Sequence, residues 1–183
     1  MAKKMAKAKN SNKSESGADI IQVILKDHKP LWASIKIMKD EKSTYAEKKK
    51  AFYKFAPALI AHAKPEEQTW YMQMKSEKDF VVDGLEGDVE HSLADQLCEE
   101  LKRTSDREMF MAKVKVLAEL VEHHLEEEEE DMLPEFRKDS TAEERIALGE
   151  KYLKIQAVFV AKGGDDSPPE KSRAFKQMEA AAH

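Results

Sequence analysis

The sequence predicts an all-α protein, an antiparallel four-helix bundle with an additional C-terminal helix. Apolar residues recur at steps of three and four through four long segments, as in amphipathic helices. Six glycines and six prolines in 183 residues are too few for a loop-rich or β-rich fold. Short polar connections with helix-capping signals separate the segments, and short connections make consecutive helices antiparallel neighbours.

The first helix is expected from Ala18 to Asp40, with Ile21, Ile24, Leu25, His28, Leu31, Trp32, Ile35 and Met38 at helical spacing. Pro30 conflicts with it and predicts a kink beside His28. Thr44 and Glu47 form a capping-box pattern that opens the second helix. That helix runs through Phe52, Phe55, Leu59 and His62 toward Met74, against Pro57 and Pro65. The stretch Asp83–Gly87 (DGLEG) reads as a turn into a third helix carrying His91, Ala94, Leu97, Cys98 and Leu101 and ending near Arg103. A second capping pattern, Ser105 with Glu108, opens a fourth helix through Val114, Leu117, Leu120, His124 and Met132, which ends around Pro134 to Lys138. Ser140 and Glu143 cap a fifth segment reaching about Val160. Residues 1–16 form a basic, polar tail expected to be disordered, 17–138 the bundle, 139–161 the additional helix and 162–183 a flexible tail.

Composition narrows the function. A net charge of −5 exerts no strong pull toward nucleic acid or anionic lipid. No apolar run approaches the ~20 residues needed to span a bilayer, and the N-terminal tail lacks the apolar stretch of a secretory signal. The single cysteine, Cys98, rules out an internal disulfide and fits a reducing compartment. The expected location is therefore the cytoplasm. Cys98 also falls on a packing face, and no serine is placed for activation, so classical hydrolysis is not expected. Trp32 and Trp70 are expected to serve as packing. Tyr71 is as well, although it lies near the His62 turn and could border a pocket.

Four helices each place a histidine on the apolar stripe: His28, His62, His91 and His124. Two of these have a glutamate four residues later, Glu66 and Glu128, and residues at i and i+4 share a helix face. Glu128 belongs to a run of six acids, Glu126 to Asp131, most of which must face water. Glu128 differs because it continues the Leu117, Leu120, His124 stripe, where an ionised carboxylate is costly without a cation or hydrogen bonds. His123 pairs instead with Glu127 and falls toward the flank. Four imidazoles and two carboxylates match the donor set of a two-metal centre rather than one tetrahedral zinc. The mixture suits iron, with manganese or zinc as alternatives.

These segments, "DHKPLW" around His28, "HAKPEEQTWY" from His62, "EHSLADQL" around His91 and "HHLEEEEEDMLP" from His123, resemble the haemerythrin-like (HHE cation-binding) family over roughly residues 18 to 138. Pro134, ten residues after His124, also fits the family's motif. The resemblance implies a haemerythrin-type bundle around an oxo- or hydroxo-bridged di-iron site. By position, His28 and His62 would serve one iron, His91 and His124 the other, and Glu66 and Glu128 would bridge. Glu67 is an alternative carboxylate. Oxygen-carrying haemerythrins have a further histidine where Gly87 stands, four before His91, which leaves a position open to water, Glu90 or Asp88. His123 and Tyr71 complete the additional candidates.

The expected function is a di-iron protein that binds or reacts with dioxygen, peroxide or nitric oxide in sensing or stress defence, including as a peroxide- or dioxygen-reactive oxidoreductase. The alternative is metal storage, or a metal-stabilised scaffold without catalysis. The C-terminal helix is a candidate surface for a homodimer or a protein partner.

Overall fold

The computed structural model describes residues 17–163, so the predicted 1–16 tail and nearly all of the 162–183 tail lie outside the described residues. Every regular element among the described residues is helical: α1 (Ile20–Lys39), α2 (Tyr45–Glu67), α3 (Trp70–Met74), α4 (Val81–Arg103), α5 (Arg107–Glu127), a π-helical turn (Glu128–Met132), α6 (Leu133–Asp139) and α7 (Ala142–Ala161). Helices α1, α2, α4 and α5 form the four-helix bundle. The additional helix, α7, packs on its outside against α1 and α2. No helix among the described residues is long and apolar enough to cross a membrane.

Local chemistry sets most boundaries. Asp19 caps α1 by accepting the Ile21 N–H at 2.9 Å. Thr44 and Glu47 form the expected reciprocal box at the start of α2. Lys48 is buried there and donates to the Met38 carbonyl at 2.6 Å, satisfying an orphan acceptor at the end of α1. Helix α1 continues through Pro30, where the Ser34 hydroxyl donates to the proline carbonyl at 3.0 Å.

Four expected boundaries move. The second helix stops at Glu67 instead of reaching Met74. The Thr69 hydroxyl donates to the Pro65 carbonyl at 2.6 Å, and the chain turns before the short α3. Asp83–Gly87 lies inside α4 rather than forming a turn before it. Gly84 and Gly87 are buried where α3 comes against α4, so close packing overrides the turn propensity of this stretch. The cap of α5 is Asp106, which accepts the Met109 N–H at 2.8 Å, in place of the Ser105–Glu108 pair. The α7 capping box is Thr141 with Glu144, one residue later than Ser140 with Glu143.

The core divides along the bundle. One apolar cluster contains Leu31, Phe52, Phe55, Leu59, Phe110 and Leu117. The other contains Ile20, Ile24, Trp70, Leu133, Phe136 and Tyr152. The bundle helices and the π turn also bury the polar residues His28, His62, Glu66, His91, His124 and Glu128, and on α1 His28 falls in sequence between the two clusters.

Helix α7 docks by close approach to the start of α1. Arg145 binds Asp19 at 2.8 Å, and a Cβ on Gly149 would stand 1.8 Å from the Ala18 carbonyl oxygen. Alanine in a helix gains up to about 1 kcal/mol over glycine. Overpacking against fixed backbone costs about 1–3 kcal/mol and should prevail. Gly149→Ala is expected to lower stability in urea unfolding by about 1 kcal/mol or more, the net of the two.

Candidate metal centre

The four central histidines share one arrangement. Each turns Nε2 inward toward a buried glutamate and Nδ1 outward toward an oxygen. His28 Nε2 lies 3.1 Å from Glu128 Oε2, and its Nδ1 lies 2.8 Å from Glu129 Oε1. His62 Nε2 lies 3.1 Å from Glu66 Oε2, and its Nδ1 lies 3.3 Å from the Tyr152 hydroxyl. His91 Nε2 lies 3.7 Å from Glu66 Oε2, with Nδ1 3.4 Å from Glu67 Oε1. His124 Nε2 lies 3.6 Å from Glu128 Oε1, with Nδ1 2.6 Å from Glu90 Oε2. A carboxylate accepts only, so Glu129 and Glu90 hold a proton on Nδ1 of His28 and His124 and leave the Nε2 lone pair facing the centre, while Glu67 lies at ion-pair range of His91 Nδ1 and the Tyr152 hydroxyl faces His62 Nδ1.

The imidazoles form two pairs. His28 and His62 have ring centroids 4.8 Å apart, and His91 and His124 4.7 Å apart. Each glutamate faces one histidine of each pair: Glu66 faces His62 and His91, and Glu128 faces His28 and His124. Donor atoms of His28, His62, Glu66 and Glu128 all lie within 4.8 Å of one another.

This polar layer is poorly satisfied by protein alone. His28 Nε2, His62 Nε2, both Glu66 oxygens and Glu128 Oε2 are buried without a hydrogen bond. Such atoms are rare in folded proteins, and each costs about 1–3 kcal/mol. A cation at the centre would satisfy all of them at once. The residues therefore fit a metal.

Titration reflects the same crowding. Burial and the neighbouring Glu128 push the Glu66 carboxyl well above its ordinary range. Burial also acts on Glu128, but His124 and His28 outweigh it and hold that carboxyl below the usual value. For His28, burial is outweighed by Glu128 and Glu129, and the imidazole is raised. His124 is raised the same way by Glu128 and Glu90. Burial, followed by the nearby His28, holds His62 well below its ordinary value.

The additional candidates take different places. Glu67 and Glu90 are the outer partners of His91 and His124. Asp88 pairs with Lys75 toward the surface, away from the position it was expected to fill. His123 is exposed and pairs with Glu127 at 3.3 Å. Tyr71 is fully buried, donates its hydroxyl to Glu128 Oε1 and lies 3.4 Å from His124 Nε2. Burial pushes the Cys98 thiol up to about 12, which leaves no thiolate for attack.

Several outer partners escape a reading of spacing. Glu129 belongs to the acidic run expected to be mostly solvated, yet it accepts from His28 and from the Trp32 indole at 2.9 Å. It sits in the π turn, where the Leu133 N–H reaches the Glu128 carbonyl five residues back, and Glu128 and Glu129 address opposite nitrogens of one ring. The His28-to-Trp32 interval of four was the available hint. Tyr152 comes from α7 and donates to Asp27 at 3.0 Å while facing His62. No local pattern marks it.

A family model, the Hemerythrin HHE cation binding domain, matches residues 19–136. The chain belongs to this family. The match spans the four bundle helices and every inward-facing donor, and α7 lies beyond it. Comparison with curated proteins and with solved structures gives no match. The helical-bundle architecture and the capacity to bind metal cations follow from the family together with the buried histidine–glutamate cluster.

Tyr152→Phe removes the hydroxyl facing His62 Nδ1 while keeping the ring. Loss of such an outer partner typically costs 10–100-fold in metal affinity. That loss is expected in a chelator-competition titration, with helical circular dichroism unchanged.

Proposed function

We propose that the chain holds two iron ions and binds or reacts with dioxygen, peroxide or nitric oxide in sensing or stress defence. His28 and His62 would hold one ion, His91 and His124 the other, and Glu66 and Glu128 would bridge them. The observation that carries this reading is that each buried glutamate faces one imidazole of each pair, as two bridging carboxylates require. Iron held there would supply electrons to a small oxidant, and mixed imidazole and carboxylate donors suit it.

The chain's own residues have separable parts in this. The imidazoles bind without adding charge, so two carboxylates against two divalent ions leave net positive charge for a small anionic ligand to offset. Glu129, Glu67, Glu90 and Tyr152 orient the rings. The two apolar clusters exclude bulk water. An acidic cleft of about 170 Å³, lined in part by Asp83, Glu86, Gly87, Asp131 and Glu90, the outer partner of His124, favours approach of cations.

A second reading is a metal-stabilised scaffold. The sealing of the centre favours it, since none of the six central residues is more than 2% exposed.

Elemental analysis with a visible spectrum, before and after peroxide addition to the reduced protein, separates the two. The oxidant-reactive reading expects about two irons per chain and bands that respond to peroxide. Bound metal with an indifferent spectrum would move the function to scaffold or storage.

Loading is also expected to depend on pH with a definite sign. The raised His28, His124 and Glu66 hold protons that an incoming cation must displace. Affinity should therefore fall as pH drops, beginning above the ordinary histidine value of ~6.5. Chelator competition between about pH 6 and 8 measures it.

A further inference from the structure

We infer that Tyr71 is itself a ligand of the centre, its phenolate oxygen completing the side formed by His91 and His124; this rests on the metal reading above. Gly87 lies one turn before His91 on α4. A Cβ there would stand 2.6 Å from two carbons of the Tyr71 ring and 2.7 Å from its hydroxyl oxygen. The tyrosine thus fills the volume that a side chain at residue 87 would use to reach the centre.

Its orientation is set from both faces. The ring stacks on His91 with centroids 5.3 Å apart and planes 22° from parallel. The hydroxyl points inward, meeting Glu128 Oε1 and lying 3.4 Å from His124 Nε2. His124 Nε2 is in turn 3.0 Å from His91 Nε2. Three donor atoms, two nitrogens and one oxygen, therefore converge with Glu128 on the same side. Neither Asp88 nor Glu90 can supply that oxygen, because Asp88 pairs with Lys75 and Glu90 with His124 Nδ1.

Coordination exchanges the phenol O–H bond for an oxygen–metal bond. The proton now shared with Glu128 leaves to the buffer, and no electrons are transferred.

The test loads the full chain with ferrous iron, exposes it to air, and records metal content and resonance Raman spectra of wild type and Tyr71→Phe. The expected result is tyrosinate ring vibrations excited within a visible phenolate-to-iron(III) band, shifted by ring-deuterated tyrosine and lost in Tyr71→Phe while bound iron is retained. Wild-type protein that binds iron but shows no tyrosinate vibrations would overturn the ligand assignment and leave the metal reading standing. Retention of the band in Tyr71→Phe would overturn it equally. Protein that binds no iron would overturn the metal reading and this inference with it. The wild-type spectrum decides between the first two outcomes even if the variant does not fold.

Discussion

Glu66 and Glu128 are buried among the same four imidazoles, and the interaction between these two carboxylates conditions the rest of the bundle. Each raises the cost of ionising the other in an interior that screens weakly. The structure divides the burden unequally. Glu128 accepts from Tyr71 and faces His28 and His124, both raised, and stays ionised, whereas Glu66 faces His62 and His91, both held below their ordinary value, and is driven toward its neutral form. Multivalent cations between them would remove that asymmetry. The centre is better explained as a site for cations than as a polar layer that stabilises the bundle, since apolar replacements of a buried charged cluster often stabilise a fold.

Such a layer requires the four helices to be in register, because a donor from each must arrive at one height. The apolar clusters on either side provide that register. His28 falls between Ile24 and Leu31, His62 follows Leu59, and His124 is flanked by Val121 and Leu125. The clusters also keep solvent from the imidazoles, so ring orientation falls to the outer partners. Those partners come from α2, α4, α7 and the π turn, which ties elements outside the four-helix contact to the geometry inside it. In this light α7 is more than a covering helix, because Tyr152 reaches His62 through it.

The inward half of this design was legible in the sequence because it obeys helical spacing. His62 with Glu66 and His124 with Glu128 stand four apart, and His28 and His91 fall on apolar stripes, so the bundle and its central donors could be read together. The outward half obeys no single period. Glu129 was hidden in an acidic run, and it meets His28 only across the packing of helices, 101 residues away in the chain. Tyr152 lies on a different helix, 90 residues from its partner, with nothing local to mark it. Tyr71 was legible as a neighbour of the site but not as the occupant of the space beside Gly87, because that depends on α3 folding back against α4. The misplaced turn at Asp83–Gly87 has the same origin: glycines that look like turn formers serve close packing.

The π turn shows why this half had to depend on tertiary structure. A regular α-helix separates consecutive side chains by about 100°, and at the end of α2 the adjacent Glu66 and Glu67 face opposite nitrogens of His91 at 3.7 and 3.4 Å. At the π turn the adjacent Glu128 and Glu129 face opposite nitrogens of His28 at shorter range, 3.1 and 2.8 Å. The helix gives up regular hydrogen-bond geometry over one turn. Glu129 holds Nδ1 of His28 there, and the tautomer is set with the Nε2 lone pair toward the centre. π turns are frequent at functional sites, and here the turn carries the glutamate pair that addresses both sides of the His28 ring, as the end of α2 does for His91.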